Sequence, residues 1–478
     1  MKQRIFASLV SIAALLAGCG GSGGSSGTFG GPSTGTATPT PTSTSGCSLR
    51  ERQDWAASQL REWYLFPDTL PTVFDPSPYA TVQDYIDHLT AAARSQRKDR
   101  FFTYLTSIAG EDAYYTSGSS AGFGVRLAYD VAAQRVIVAE AFENAPALAA
   151  GIDRGTEIVA IGTSTANLVP VSQIIASSGP GGVTDALGPN TAGTSRVLRV
   201  TTAGVTKDVT VVKADYDLTP VSSRYGAKII DDGGIKVGYV NLRTFISTAD
   251  PALRSAFATF KAAGVTNVII DLRYNGGGLI SISELFSDLL GNARSTAQVV
   301  DYTVFRPEKA ANNTTRFFMP QPQSIAPTKI AFIGTGGTAS ASELVINAAI
   351  PYFHANAALI GTNTFGKPVG QIALDKPACD DRLRVIALAT QNSARQGDYY
   401  DGLAGKVEAS CQAGDDVFYP LGDPREASTR TALDYLEGKS CTPIPASPVS
   451  ASALTTGKRQ LLTPEHPTTA QRETPGLF

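Results

Sequence analysis

Two short stretches hold the residues able to do chemistry. Gly336-Gly337-Thr338-Ala339-Ser340-Ala341-Ser342-Glu343 delivers a serine through a small-residue turn to the start of a predicted helix. Phe365-Gly366-Lys367 places a lone lysine in a glycine turn after the next strand. Serine alone is a poor nucleophile and needs a base beside it. The three histidines, His88, His354 and His466, lie in no convincing triad context. Ser340 and Lys367 are therefore the natural nucleophile and base, and the implied chemistry is acyl transfer at a carbonyl. A lysine base near neutrality must lose its charge through burial, because its ordinary pKa is about 10.4. The surrounding Ala357, Leu359, Ile360 and Phe365 are apolar, and no Asp or Glu stands between Glu343 and Asp375. A helix starting at Ala341 directs unpaired amides to where an oxyanion would form. Taken singly, Ser340 reads as a helix N-cap and Lys367 as a solvated loop lysine. Their conjunction with a glycine turn carries the chemical reading. Ser342, two positions into the helix, is a rival nucleophile better suited to packing or capping. Glu343 is placed to pair with a helix-terminal amide or to orient the loop.

These residues need a scaffold. Residues 216–441 alternate strands with helices. Lys236–Leu242, Asn267–Leu272, Lys329–Gly334, Ala357–Gly361 and Arg384–Thr390 read as strands, and Ala252–Ala263 and Leu279–Leu290 as helices. Such alternation predicts a mixed or parallel sheet with helices packed on it. Gly334-Thr335-Gly336-Gly337-Thr338-Ala339 also spells a dinucleotide-binding turn. That reading requires an acidic residue about 20 positions on to hold a ribose, and none is present.

Residues 47–115 read as a helical cap, from the loose helical period of Leu49, Trp55, Leu60 and Trp63 and its repeat over Ala80–Ala93. Residues 116–215 read as a β module. Gly122-Phe123-Gly124-Val125 leads into a strand, Val136–Ala139 is a second, and Ala145–Ile152 is a short helix before Gly155–Gly162. This order resembles a PDZ domain. The resemblance implies that Gly122, Phe123, Gly124 and Val125 form a carboxylate-binding loop, whose amides hold a peptide C-terminus while the peptide adds a strand to the sheet edge. Gly118-Ser119-Ser120-Ala121-Gly122 spells a nucleophile elbow, but that motif needs a strand before it and a helix after it; here a strand follows.

Three motifs in order resemble one family. Asp271-Leu272-Arg273-Tyr274-Asn275-Gly276-Gly277-Gly278, then Thr338–Glu343, then Thr364-Phe365-Gly366-Lys367 with Gln371, follow the pattern of the C-terminal processing peptidases, also called tail-specific proteases. The resemblance covers about residues 50–435. It implies a Ser–Lys serine peptidase with a PDZ domain before the catalytic domain. Ser340 is then the nucleophile, Lys367 the general base and Gln371 the residue that orients the lysine. Gly276, Gly277, Gly278 and the amide of Ala341 would build the oxyanion hole. Pro368-Val369-Gly370 departs from the small and β-branched residues usual between the lysine and the glutamine. Asp271 and Arg273 read as structural support for the glycine turn.

The ends indicate location. Lys2 and Arg4 precede an apolar Ile5–Leu16, too short to span a bilayer comfortably and shaped like a signal peptide. Leu16-Ala17-Gly18-Cys19 resembles a bacterial lipobox, which implies cleavage after residue 18, lipidation of Cys19 and a cell-envelope location, on the outer membrane or its periplasmic side. Residues 19–46 are a Gly/Ser/Thr/Pro linker that cannot bury enough apolar surface to fold. Residues 442–478 read as an irregular tail. The other cysteines, Cys47, Cys379, Cys411 and Cys441, fit two disulfides in an exported protein, with three connectivities open. Proximity in sequence favours Cys379–Cys411, and closure of the folded region favours Cys47–Cys441. Forty basic residues balance 42 acidic ones, and no basic run points to nucleic acid. No CxxC or paired histidine implies a metal, and no cofactor is implied. The expectation is an α/β and β multidomain envelope serine endopeptidase acting on protein or peptide substrates with free C-termini. The alternatives are a catalytically inactive PDZ-containing adaptor of the same fold and, less well supported, an esterase.

Overall fold

Local capping starts the first element. In the computed structural model, which describes residues 45–130, 132–446 and 459–478, Ser48 and Glu51 form a capping box at the head of α1 (Leu49–Trp63). Thr81 accepts from the Asp84 amide at 3.0 Å to begin α2 (Val82–Leu89). The proposed signal peptide, Cys19 and nearly all of the linker lie outside the described residues. The helical reading of residues 47–115 needs an addition. A short strand, β1 (Tyr104–Ser107), precedes α3 (Ile108–Ser117) and joins a sheet far along the chain.

The β module follows. β2 (Val125–Asp130), β3 (Arg135–Ala141), β4 (Glu157–Gly162), β5 (Ser195–Thr202) and β6 (Val205–Val212) pair antiparallel in that order. α4 (Val171–Leu187) lies against β4 and is kinked at Gly179, where φ is +65° beside Pro180. Residues 119–122 form a strand paired with residues 214–217, so the Gly118–Gly122 elbow motif has no helix after it.

The alternating segment builds a mixed six-stranded sheet. β7 (Ala227–Asp232) runs antiparallel to β8 (Ile235–Asn241). β9 (Asn267–Asp271), β10 (Lys329–Gly334), β11 (Ala357–Gly361) and finally β14 (Ala409–Gln412) then continue in parallel. α5 (Ala249–Ala262), α6 (Ile280–Leu289) and α7 (Ala341–Phe353) cover one face, where Phe257, Phe260, Phe286 and Val345 share a core. α8 (Ala427–Leu436) covers the other with Ala432, Leu433 and Leu436. Each fully buried Phe or Leu contributes about 1.5–3 kcal/mol, so helix packing on both faces holds the sheet in place. The mixed α/β multidomain class expected from the sequence is observed.

Three details differ from expectation. Arg384–Thr390 is the middle of β13 (Asp381–Asn392), which belongs to a second sheet with β1, β12 (Val369–Lys376) and residues 299–305. A twelve-residue strand folded back on β12 as a hairpin cannot also take a place in the parallel sheet. α1 and α2 dock on this hairpin through Ala56, Leu60, Ile86 and Leu89 against Leu383, Val385 and Ile386.

The disulfides are Cys47–Cys379 and Cys411–Cys441, not the pairs favoured from sequence proximity and end closure. The Gln412 amide donates to Thr442 O at 2.7 Å, which lays Cys441 alongside Cys411 on β14. Cys379 sits in the turn between β12 and β13, where Arg52 of α1 pairs with Asp381 at 2.6 Å and brings Cys47 near.

The tail is not irregular throughout. Its described residues, 459–478, form β15 (Gln460–Leu461) and α9 (Thr469–Glu473) and return to β2. Sequence composition missed this because its partners lie hundreds of residues away.

Candidate active site

The serine turn and the glycine turn leave adjacent parallel strands, β10 and β9, at their C-terminal ends. Thr338 Oγ1 donates to Leu272 O at 2.7 Å, and the Ala339 amide donates to Asn275 O at 3.0 Å. Ser342 is buried and donates to Asn275 O at 3.0 Å. Its hydroxyl is therefore committed to joining the two turns. Gly277 has φ +123°, and a Cβ there would lie 2.7 Å from Ser340 Cβ, so only glycine permits this approach. Ser340 itself has φ +55° and ψ −116°, unlike an ordinary N-cap. Such backbone strain in a non-glycine residue costs about 1–3 kcal/mol and gathers at functional sites.

Glu343 ties the serine to the lysine. Its Oε2 accepts from the Ser340 amide at 3.1 Å and from the Lys367 amide at 2.7 Å. Its Oε1 accepts from Thr364 Oγ1 at 2.6 Å and from the Gly366 amide at 2.7 Å. Burial raises the Glu343 pKa above the usual glutamate value, and these four donors oppose that rise. The lysine turn is held from outside by Arg100, whose guanidinium donates to Phe365 O at 2.7 Å and Gly366 O at 2.6 Å. Burial lowers the Arg100 pKa to about 10. Neither clamp is legible from spacing alone. Glu343 was visible as a candidate only by its position in the helix's first turn, and Arg100 carried no signal.

Lys367 lies in the turn before β12, where Pro368 keeps it out of a helix. Its Nζ donates to Gln371 Oε1 at 3.1 Å, and Gln371 Nε2 donates in turn to Phe102 O. No hydrogen bond joins Lys367 to Ser340 among the described residues. Burial of the ammonium is the largest influence on Lys367 and lowers its pKa; the Glu473 carboxylate acts the other way.

Of the four expected oxyanion donors, the Gly277 amide is engaged with Asn275 Oδ1 at 2.9 Å, and the Gly276 amide donates to Glu473 O at 2.9 Å. Gly278, with φ +132°, faces Phe245 across a parallel bridge. The Ala341 amide stands beside Gly277 at the head of α7. Asp271 and Arg273 are fully buried and form an ion pair at 2.9 Å. Arg273 also grips Glu426 through two bonds of 2.9 Å. Behind the glycine turn, this network fixes the end of β9.

The Gly122–Val125 loop stands at the start of β2, in a module that Arg243, just past β8, joins through a buried ion pair. Arg243 donates to Glu140 at 2.6 Å, and Arg126 to the same carboxylate at 3.2 Å. The loop amides of Gly124 and Val125 point at the backbone oxygen of Phe478. No cluster of His, Cys, Asp and Glu fit to hold a metal is present among the described residues.

Residues 236–393 match the family model for Peptidase family S41. A carboxyl-terminal-processing protease from Picosynechococcus sp. is 28% identical over 267 residues, 55% of this chain and 58% of the relative. A chloroplastic C-terminal processing peptidase from Tetradesmus obliquus is 28% identical over 272 residues, 54% of each chain. The chain spans little more than half the length of these curated relatives. A solved S41-family structure from Bacteroides fragilis superposes with a TM-score of 0.63 at 23% identity, covering 80% of this chain and 97% of the other, which is a likeness of fold. The glycine turn, the strained serine and the lysine turn all fall within residues 236–393, the segment similar to peptidase family S41.

Proposed function

We propose that the protein is a serine endopeptidase of the cell envelope that cleaves protein substrates recognised near their C-termini. The observation that supports it most is the Glu343 carboxylate, one oxygen of which accepts from the backbone amides of both Ser340 and Lys367. A strained serine at a helix head and a lysine whose charge burial disfavours are thereby tied through their backbones to one carboxylate. In this reading neutral Lys367 takes the proton of Ser340 Oγ as the oxygen attacks the scissile carbonyl. The Ala341 amide, with the Gly278 amide of the glycine turn, receives the developing oxyanion. The tetrahedral intermediate collapses to an acyl-enzyme, and the leaving amine takes the proton from Lys367. Water, deprotonated by the same lysine, releases the product. Gln371 positions the lysine. The PDZ-like module at residues 116–215 supplies substrate ends through Gly122, Phe123, Gly124 and Val125.

The location rests on two supports. The lipobox at Cys19 implies a lipid anchor, and two disulfides suit an oxidising compartment. Among the described residues no helix is long and apolar enough to cross a membrane.

The lack of a Ser340–Lys367 hydrogen bond favours a second reading, a non-catalytic binding protein of the same fold. Incubating the protein with an unfolded protein substrate, beside Ser340→Ala, decides between them. Cleavage by the parent chain alone supports the peptidase. No cleavage by either leaves the adaptor.

A further inference from the structure

Residues 459–478 take no part in the reading above, yet they run through both halves of its site. β15 pairs antiparallel with β2, Leu461 opposite Ala128, and the Leu462 amide donates to Leu127 O at 2.9 Å. After α9 the chain returns to the same strand edge. The Leu127 amide donates to Gly476 O at 2.8 Å, Leu477 bridges Arg126 antiparallel, and the Phe478 amide donates to Val125 O at 2.9 Å. The Gly124 and Val125 amides donate to the backbone oxygen of Phe478 at 2.8 and 3.2 Å. A Cβ on Gly122 would lie 2.8 Å from the backbone carbonyl carbon of Phe478, so that glycine is what lets this residue approach. The Phe478 ring is 3% exposed and shares a core with Phe123, Val125 and Leu127. Strand addition, an oxygen held by the loop amides and a buried aromatic side chain are features by which a sheet edge recognises a peptide.

The same segment reaches the catalytic cleft. Glu473 O accepts from the Gly276 amide, and the Arg472 and Glu473 carbonyls occupy the space a Gly276 side chain would fill. The Glu473 side chain is 4% exposed. Its Oε1 accepts from Tyr115 at 3.2 Å, and its Oε2 has no partner among the described residues. Glu473 is also the carboxylate that acts most strongly on Lys367, favouring the ammonium form, which cannot accept a proton. Because Thr469–Glu473 is helical, it does not lie across the serine as an extended strand.

We propose that Gln460–Phe478 is an intramolecular ligand of this site: its Gly476–Phe478 stretch occupies the Gly122–Val125 loop, α9 covers the glycine turn beside Ser340 and Lys367, and peptides ending in an aromatic residue with a free carboxylate displace it. The consequence for catalysis rests on the peptidase reading; the occupancy of the loop does not. A peptide in trans can reproduce the strand bonds to β2, the bonds from the loop amides and the two buried side chains, Leu477 and Phe478, though not the bond from Gln471 Nε2 to Leu477 O. A tethered ligand acts at an effective concentration of order 1 mM. If the free peptide binds at about 10 μM, the tail fills about 99% of sites and weakens a competitor about 100-fold.

The test measures anisotropy of a fluorescent Glu-Thr-Pro-Gly-Leu-Phe peptide on the full chain carrying Ser340→Ala, with and without its last three residues. The shortened chain should bind about 10- to 100-fold tighter, and the amidated peptide should bind neither. Phe478→Asp, which places a charge in the apolar pocket, should open the site as the truncation does. With Ser340 restored, both altered chains should degrade an unfolded protein faster than the parent. Equal peptide affinity for intact and shortened chains overturns the proposal. So does unfolding of both altered chains, seen by circular dichroism, because the tail would then be a structural strand. Tighter peptide binding with no cleavage by any chain leaves the tail proposal standing and removes the peptidase reading.

Discussion

Replacing Glu343 by glutamine keeps its volume and removes one acceptor. The carboxylate takes four donors, two on each oxygen. In glutamine one oxygen becomes an NH2 group, which must face one of those pairs. The less damaging orientation turns it toward Thr364, whose hydroxyl can rotate to accept. Gly366 then loses its partner, at about 1–3 kcal/mol for an unsatisfied buried amide. The bonds from Ser340 and Lys367 fall from charge-assisted to neutral, and each loses roughly half its strength. Relief of the buried charge returns part of this, since burial raises the Glu343 pKa. The net expectation is about 2–4 kcal/mol, concentrated at the two turns. If the turns shift by about 1 Å instead of unfolding, peptidase activity falls by about 100-fold. Urea unfolding followed by tryptophan fluorescence gives the first quantity, and hydrolysis of an unfolded protein gives the second. A Glu343→Gln chain with parental stability and parental rate would refute the assignment of Glu343 as the tie between serine and lysine.

Ser340→Ala and Lys367→Ala should each abolish hydrolysis without unfolding the protein, whereas His354→Ala should leave it intact; full activity in Lys367→Ala sinks the lysine as base. Activity should rise with pH as Lys367 loses its proton, at a pH below the ordinary lysine value because burial lowers its pKa; a flat profile contradicts this. Burial alone would raise the Glu426 pKa, but Arg273 and the Thr429 amide overcome it and hold the value at about 2 against an ordinary 4.5. This depressed acid contributes about 3 kcal/mol of stability above pH 4.5, and the contribution is lost as pH falls through about 2. Glu426→Gln should therefore flatten the acid limb of a stability–pH curve, and an unchanged limb argues against the pair. Cys411→Ser with Cys441→Ser opens a loop with a sequence separation of 30 and should lower stability by about 3.6 kcal/mol in the chain-entropy account. Peptide mapping that instead recovers a Cys379–Cys411 fragment would contradict the pairing.

Much of the site was legible because its signals are local. Glycine is demanded where the backbone takes φ +123° and +132°, so the Gly276–Gly278 turn announces itself. A serine at a helix head, a lone lysine in an acid-free apolar stretch, and strands alternating with helices are likewise properties of neighbouring residues. The sequence by itself therefore determined the α/β class, the β module before it, and Ser340, Lys367 and Gln371 as candidates. The tertiary structure decided what depends on contacts between distant segments. Cysteine pairing follows Cα separation, and Cys47 meets Cys379 across a sequence separation of 332 only because α1 docks on the β12–β13 hairpin. The roles of Glu343 and Arg100 depend on four or more groups converging in space. The tail's composition reads as irregular because its order comes from β2, the glycine turn and α3, to which it adds a strand edge, a carbonyl and a carboxylate. Such order is a property of the pairing surface, and no window along the chain contains it.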